Sequence, residues 1–187
     1  MIRFDDDRYT ARRDVTFLRP RVFLSDAGGS PVCAARADTV RLKRRITIFG
    51  DADLTRPILS VTGREIVGFA AAYDVTDLES GESLGSIRRP GFLSADPSRW
   101  RIHDRDGRET ARIRRVLTVS VLSTAFKGVF PRTWEVVLGG SGVIVGRFRE
   151  RWVAPGIECD VEFSPAGADA PDRRLFVAGL MLLLFVR

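Results

Sequence analysis

The end of the chain restricts the fold more than any other part of it. From Leu175 to Val186 the sequence is Leu-Phe-Val-Ala-Gly-Leu-Met-Leu-Leu-Leu-Phe-Val, apolar at every position. A helix that is apolar on all faces must be buried on all faces. Twelve residues fall short of the ~20 needed to cross a bilayer, so the segment predicts a helix enclosed by the rest of the chain. Asp169-Ala170-Pro171-Asp172 supplies a helix start, with proline near the first turn and acids favoured by the dipole. Ten large apolar side chains follow; at ~1.5–3 kcal/mol each, their burial contributes on the order of 15–30 kcal/mol gross.

The preceding residues supply the enclosure. Short β-branched or aromatic segments recur every 8 to 12 residues between turn residues, the rhythm of an all-β barrel or sandwich. The predicted strands are Val15–Leu18, Val22–Leu24, Val32–Ala35, Arg45–Phe49, Ile58–Val61 and Ala70–Thr76. They continue with Ser83–Arg88, Arg99–His103, Thr110–Arg114, Thr133–Leu138, Gly142–Phe148 and Glu158–Phe163. Val116–Phe126 reads equally as a strand or an irregular connection. Turns such as Asp26-Ala27-Gly28-Gly29, Glu79-Ser80-Gly81-Glu82 and Asp104-Arg105-Asp106-Gly107 tolerate the positive φ of tight hairpins.

In Thr110–Arg114, Ala111 and Ile113 alternate with Arg112 and Arg114. In Gly142–Trp152, Val143, Val145, Arg147, Arg149 and Arg151 share one parity, and Ile144, Phe148 and Trp152 the other. One face is wet and one buried. About eight strands fill a barrel with their own side chains, whereas about twelve leave a lumen, and a helix ~10 Å across fits it. The expected fold is therefore mainly β (α+β): a closed antiparallel β-barrel of about twelve strands around a central apolar C-terminal helix, 172–187. Residues 15–187 form this single domain, and 1–14 read as an N-terminal extension.

Composition narrows the chemistry. At 187 residues, with 29% charged and 44% hydrophobic residues, the chain matches one soluble globular domain. The acidic start, Met1-Ile2-Arg3-Phe4-Asp5-Asp6-Asp7, lacks the basic-then-apolar pattern of a secretory signal, which favours the cytoplasm. Cys33 and Cys159 are the only cysteines and lack metal-site spacing; they read as reduced thiols, with a single disulfide as the alternative. His103 is the sole histidine and reads as structural. Asp104-x-Asp106-Gly107 has its glycine fourth and Arg115 twelfth, unlike a calcium-binding EF-hand. Gly139-Gly140-Ser141-Gly142 lacks the lysine of a phosphate loop and precedes a strand. No catalytic set, metal site or cofactor is expected.

The basic residues carry the functional potential. Net charge is +6, and Lys43 and Lys127 are the only lysines. Arg41, Lys43 and Arg45 share one parity, and Arg147, Arg149 and Arg151 another; Arg88, Arg89, Arg112 and Arg114 add to them. Arginines spaced by two on a strand project from one surface and pair with phosphate oxygens in bidentate fashion. A solvated outer face with cross-strand acidic partners competes with a patch for anionic phospholipid headgroups. Nucleic acid is disfavoured, because Phe148 and Trp152 take the opposite parity to the arginines.

Ala72-Tyr73-Asp74-Val75-Thr76-Asp77, then Gly81-Glu82-Ser83-Leu84-Gly85-Ser86-Ile87-Arg88-Arg89, then Trp100-Arg101-Ile102-His103-Asp104 form a familiar succession. With Leu42-Lys43, Ile46-Thr47-Ile48-Phe49, Trp134-Glu135-Val136 and Asp172-Arg173-Arg174-Leu175, the pattern resembles the tubby C-terminal-like superfamily. Within it, the likeness is to bacterial relatives of LURP-one-related proteins and phospholipid scramblases, over nearly the whole chain from about Val15. The resemblance implies a twelve-stranded barrel around a C-terminal helix. It implies no single activity, since tubby domains bind phosphoinositides and scramblases are linked to lipid movement. The expected function is non-enzymatic, peripheral binding of anionic phospholipid or a membrane-linked partner, at the inner membrane surface. The alternative is a structural or protein-interaction module, with a stress response as one setting, without a lipid role.

Overall fold

The computed structural model describes residues 4–14, 20–38, 45–64, 71–89, 91, 99–116, 132–153, 156–164 and 171–186, excepting the Trp152 side chain. Twelve strands are present among these residues: β1 Arg8–Asp14, β2 Arg21–Asp26, β3 Pro31–Asp38, β4 Arg45–Phe49, β5 Pro57–Gly63 and β6 Ala71–Asp77, then β7 Ser83–Arg89, β8 Trp100–Asp104, β9 Glu109–Val116, β10 Thr133–Leu138, β11 Ile144–Val153 and β12 Gly156–Phe163. Each pairs antiparallel with its sequence neighbours, and β1 pairs with β12 to close the barrel. One helix is present among the described residues, α1 (Arg173–Phe185), after β12.

The first strand corrects the expected extension. Residues 8–14 lie within the barrel wall, paired to β12 on one side and β2 on the other. The predicted strand Val15–Leu18 falls outside the described residues. The sequence signal was weak because the inward side of Arg8–Asp14 holds a single large aromatic, Tyr9, then small Ala11 and charged Arg13. Tyr9 and Ala11 are buried nonetheless.

The helix fills the lumen. Leu175 through Leu184 are all buried, including Gly179 on the helix surface. Phe176 stacks on Phe163 of β12 with ring centroids 6.1 Å apart. A β-carbon at Gly179 would lie 2.6 Å from the Ile113 Cδ1 atom of β9 and 3.8 Å from that of Ile87 on β7, so a glycine here brings the helix backbone against the wall.

Because the strands alternate in direction, the hairpins 26–30, 50–56, 77–82, 104–108 and 139–143 gather at one end, with segment 4–7 and the start of α1. This is the hairpin end. The opposite rim carries the other strand termini, including Asp14, Arg21, Arg45, Arg89 and Trp100.

Two arginines fasten the helix at the hairpin end. Arg174 pairs with Asp77 at the β6–β7 turn and with the helix cap Asp172 at 2.5 Å. Asp77 also accepts from the Glu79 and Ser80 N–H groups, at 2.8 and 3.2 Å, so one carboxylate both shapes a hairpin and anchors the helix. Arg173 donates to the carbonyls of Phe4, Asp5 and Asp6 and to the Asp7 carboxylate. Positive charge at a helix start opposes the dipole; here each cation has its own acceptors.

Two local irregularities matter. The β10–β11 register shifts after Val136, which pairs with Gly146, whereas Val137 pairs with Ile144. The resulting bulge leaves Val145 without a partner in β10 and buried, although its sequence parity is that of the solvent-facing Arg147. Gly85 has φ +142°, and a β-carbon there would lie 2.1 Å from the His103 carbonyl oxygen, so only glycine allows β7 this approach to β8.

Cys33 and Cys159 are both buried and free. Cys33 pairs with Leu24, Leu24 with Ala11 and Ala11 with Cys159, one cross-strand row. Three interstrand steps of about 4.8 Å put them roughly 13 Å apart, beyond the reach of a disulfide. Burial pushes the Cys33 thiol up to about 12 and raises that of Cys159 as well, with the Glu150 and Asp160 charges adding to the latter.

Candidate basic surface

Sheet register decides which arginines are neutralised. On the outer face of β12, Glu158, Asp160 and Glu162 stand opposite Arg151, Arg149 and Arg147 of β11. On its other side they face Arg12, Thr10 and Arg8 of β1. Arg151 pairs with Glu158 at 3.3 Å and with Asp160 at 2.9 Å. Arg147 turns the other way to Glu135 of β10, at 3.2 Å, which also takes Arg114 of β9 at 2.9 Å. Burial alone would raise the Glu135 pKa, but hydrogen bonds and charge from Arg114 and Arg147 outweigh it and hold the carboxyl below its ordinary value. Arg114, Arg147 and Arg151 thus have the cross-strand partners of an ordinary solvated wall; Arg149 lies opposite Asp160 in register.

The neighbouring strands are different. Arg88 of β7 pairs in register with Arg101 of β8, and Arg101 with Arg112 of β9. Like charges directly opposite one another destabilise a sheet. One carboxylate, Glu109, serves this row, pairing with Arg112 and lying 3.8 Å from Arg101. Arg88 forms no ion pair among the described residues. The Arg101 and Arg112 side chains are 54% and 49% exposed, free to turn donors outward.

A cleft of about 430 Å³ opens beside the row, lined by Arg99, Arg112 and Arg114 and by Val137, Leu138 and the Gly139-Gly140 turn. A second, of about 310 Å³, mixes Arg8, Arg147 and Arg149 with Asp160 and Glu162. Both clefts lie on the barrel wall, and the first carries the greater excess of positive charge.

His103 occupies the same outer sheet, opposite Ser86. It is 8% exposed, and its Nδ1 is buried without a hydrogen-bond partner. Burial is the chief reason that it titrates below its ordinary value; the Arg88 charge adds to this and Glu109 opposes it. Among the described residues no three side chains are grouped to hold a metal ion. No helix among them is long and apolar enough to cross a membrane.

The structure therefore brings Arg88 and Arg112 into one row and leaves Arg114 and Arg147 sharing Glu135 and Arg151 between Glu158 and Asp160. Arg45 lies apart on β4, opposite Asp38 and Thr62. Arg89 shares the inward parity of Ile87 and lies over the Trp100 ring, 5.7 Å from its centroid, at the rim and not on the outer wall. Arg41 and Lys43 fall outside the described residues. Arg101 was not foreseen, because a lone arginine between Trp100 and Ile102 makes no run; its signal is the register that sets it between Arg88 and Arg112.

No protein-family model matches the sequence, and no curated protein matches it. Among solved structures the chain is similar to an X-ray structure of the Arabidopsis thaliana protein AT5G01750. The likeness has 16% sequence identity and a TM-score of 0.50, over 95% of this chain and 89% of that one. Together with the closed twelve-stranded barrel and its enclosed C-terminal helix, this likeness fits a tubby-like fold.

Proposed function

We propose that the protein is a non-enzymatic member of the tubby-like group, of LURP-one-related or scramblase-like type, that binds anionic phospholipid peripherally at the inner membrane surface. The observation that supports this reading is the Arg88–Arg101–Arg112 row. A sheet that keeps three adjacent guanidiniums with one carboxylate accepts a cost in stability that a phosphate-bearing surface offsets. Each basic residue near an anionic membrane gains ~1 kcal/mol. Guanidinium forks suit phosphate oxygens.

Co-sedimentation with vesicles of phosphatidylcholine, with and without phosphatidylserine, tests the reading. Binding is expected only with phosphatidylserine, falling in high salt and on the triple substitution Arg88→Gln, Arg101→Gln, Arg112→Gln. Absence of binding even at low salt would reject it in favour of a protein-interaction module.

A further inference from the structure

The barrel is charged unequally along its axis. The hairpins 26–30, 50–56, 77–82, 104–108 and 139–143, with segments 4–7 and 171–174, hold twelve carboxylate side chains and five arginines. At the opposite rim, the outermost two residues of each strand and the described residues directly flanking them hold ten arginines and two aspartates. Among the described residues the positive excess thus sits at one rim, where Arg64 alone of these arginines is held bidentate by Asp74, and the other end is acidic. Strand alternation produces this arrangement: residues far apart in sequence, such as Arg13, Arg21, Arg45, Arg64 and Arg89, reach one circle because every second strand terminus lies there.

We infer that the barrel docks end-on, with this basic rim against an anionic phospholipid bilayer and the hairpin end directed away. The inference rests on the lipid reading above and specifies its geometry. Strands of about seven residues at ~3.3 Å rise hold the two ends roughly 20 Å apart, more than the ~8 Å Debye length at physiological ionic strength. Docked end-on, the rim feels the membrane field while the carboxylates of Asp51, Asp53, Glu79 and Glu82 lie beyond its range. A barrel on its side would bring hairpin carboxylates within that range and lose much of the attraction. The Arg88–Arg101 part of the row belongs to this rim, whereas Arg147 lies toward the hairpin end of β11, so the two sets are separable.

Two measurements on the full chain decide the geometry. Single cysteines introduced as Ala72→Cys near the rim and Ala52→Cys in a hairpin are labelled with a nitrobenzoxadiazole fluorophore; the native thiols are buried. Vesicles of phosphatidylcholine and phosphatidylserine carrying a headgroup nitroxide should quench the Ala72→Cys label several-fold more than the Ala52→Cys label. Equal quenching, or the reverse, would overturn end-on docking. In parallel, Arg21→Gln, Arg45→Gln and Arg132→Gln together should weaken vesicle binding by about 100-fold, near five-fold per arginine. The wall set Arg8→Gln, Arg147→Gln and Arg149→Gln should change it by less than about five-fold. Equal losses from both sets would overturn the orientation while keeping lipid binding, and absent wild-type binding would overturn the lipid reading itself. Tighter binding of a single-stranded oligonucleotide than of vesicles, lost in the rim set, would overturn the bilayer as partner.

Discussion

Replacing Gly179 by alanine sets two opposing effects against each other inside the barrel. In a free helix the change is favourable by about 0.8–1 kcal/mol. Here the new methyl would stand 2.6 Å from the Ile113 Cδ1 atom, and extra volume in a packed core costs about 1–3 kcal/mol. The single variant should therefore lose up to about 2 kcal/mol, depending on how far the Ile113 side chain turns. Ile113→Val removes the clashing carbon and alone should cost about 0.5–1.5 kcal/mol. The nearest remaining atom would be the Ile87 Cδ1 atom at 3.8 Å, an ordinary contact. The double variant should consequently be more stable than the sum of the singles predicts, by about 1 kcal/mol or more. Urea unfolding of the four proteins, with midpoints and slopes compared, measures this coupling. Additivity within about 0.5 kcal/mol would mean that Gly179 does not face Ile113, and the placement of α1 against β9 would fail.

The single histidine gives a clean proton NMR titration: His103 should show a native midpoint below its ordinary 6.5, moving upward in Arg88→Ala. Because the folded value is the lowered one, its contribution to stability is complete above the unfolded pKa and declines as pH falls toward the folded value; urea midpoints through mildly acidic pH follow this. Cys33 and Cys159 should resist a thiol reagent in native buffer and both react in denaturant, and a native disulfide in mass spectra would contradict the row geometry. Arg174→Met leaves the buried Asp77 without its cation and should cost about 3 kcal/mol; a loss below ~0.5 kcal/mol in urea unfolding would show that the anchor is dispensable.

Most of the architecture was legible because it rests on periodicity. Leu175 to Val186 announces a buried helix by lacking any polar face, and segments such as Thr110–Arg114 declare their orientation by strict alternation. Reading failed where alternation was broken or faint. At Val145, an inserted residue in β11 reverses the parity on one side of the bulge, and nothing apolar marks the insertion. In β1, an alanine and an arginine occupy inward positions, so the closing strand resembles a polar tail. The basic surface was legible only in part. Spacing by two within one strand identified Arg147, Arg149 and Arg151, yet cross-strand register then gives Arg147 and Arg151 acidic partners. The row that shares a single carboxylate is assembled from β7, β8 and β9, one arginine from each, and such a row exists only after the sheet has formed.

The enclosure of α1 is tested most directly by native-state amide hydrogen exchange. Residues Leu175 to Leu184 are buried and surrounded by strands that close on themselves. Their helical N–H groups should therefore exchange only through global opening, with a free energy matching that from urea unfolding. Fast exchange of this segment while β5 to β9 remain protected would place the helix outside the barrel and contradict the account.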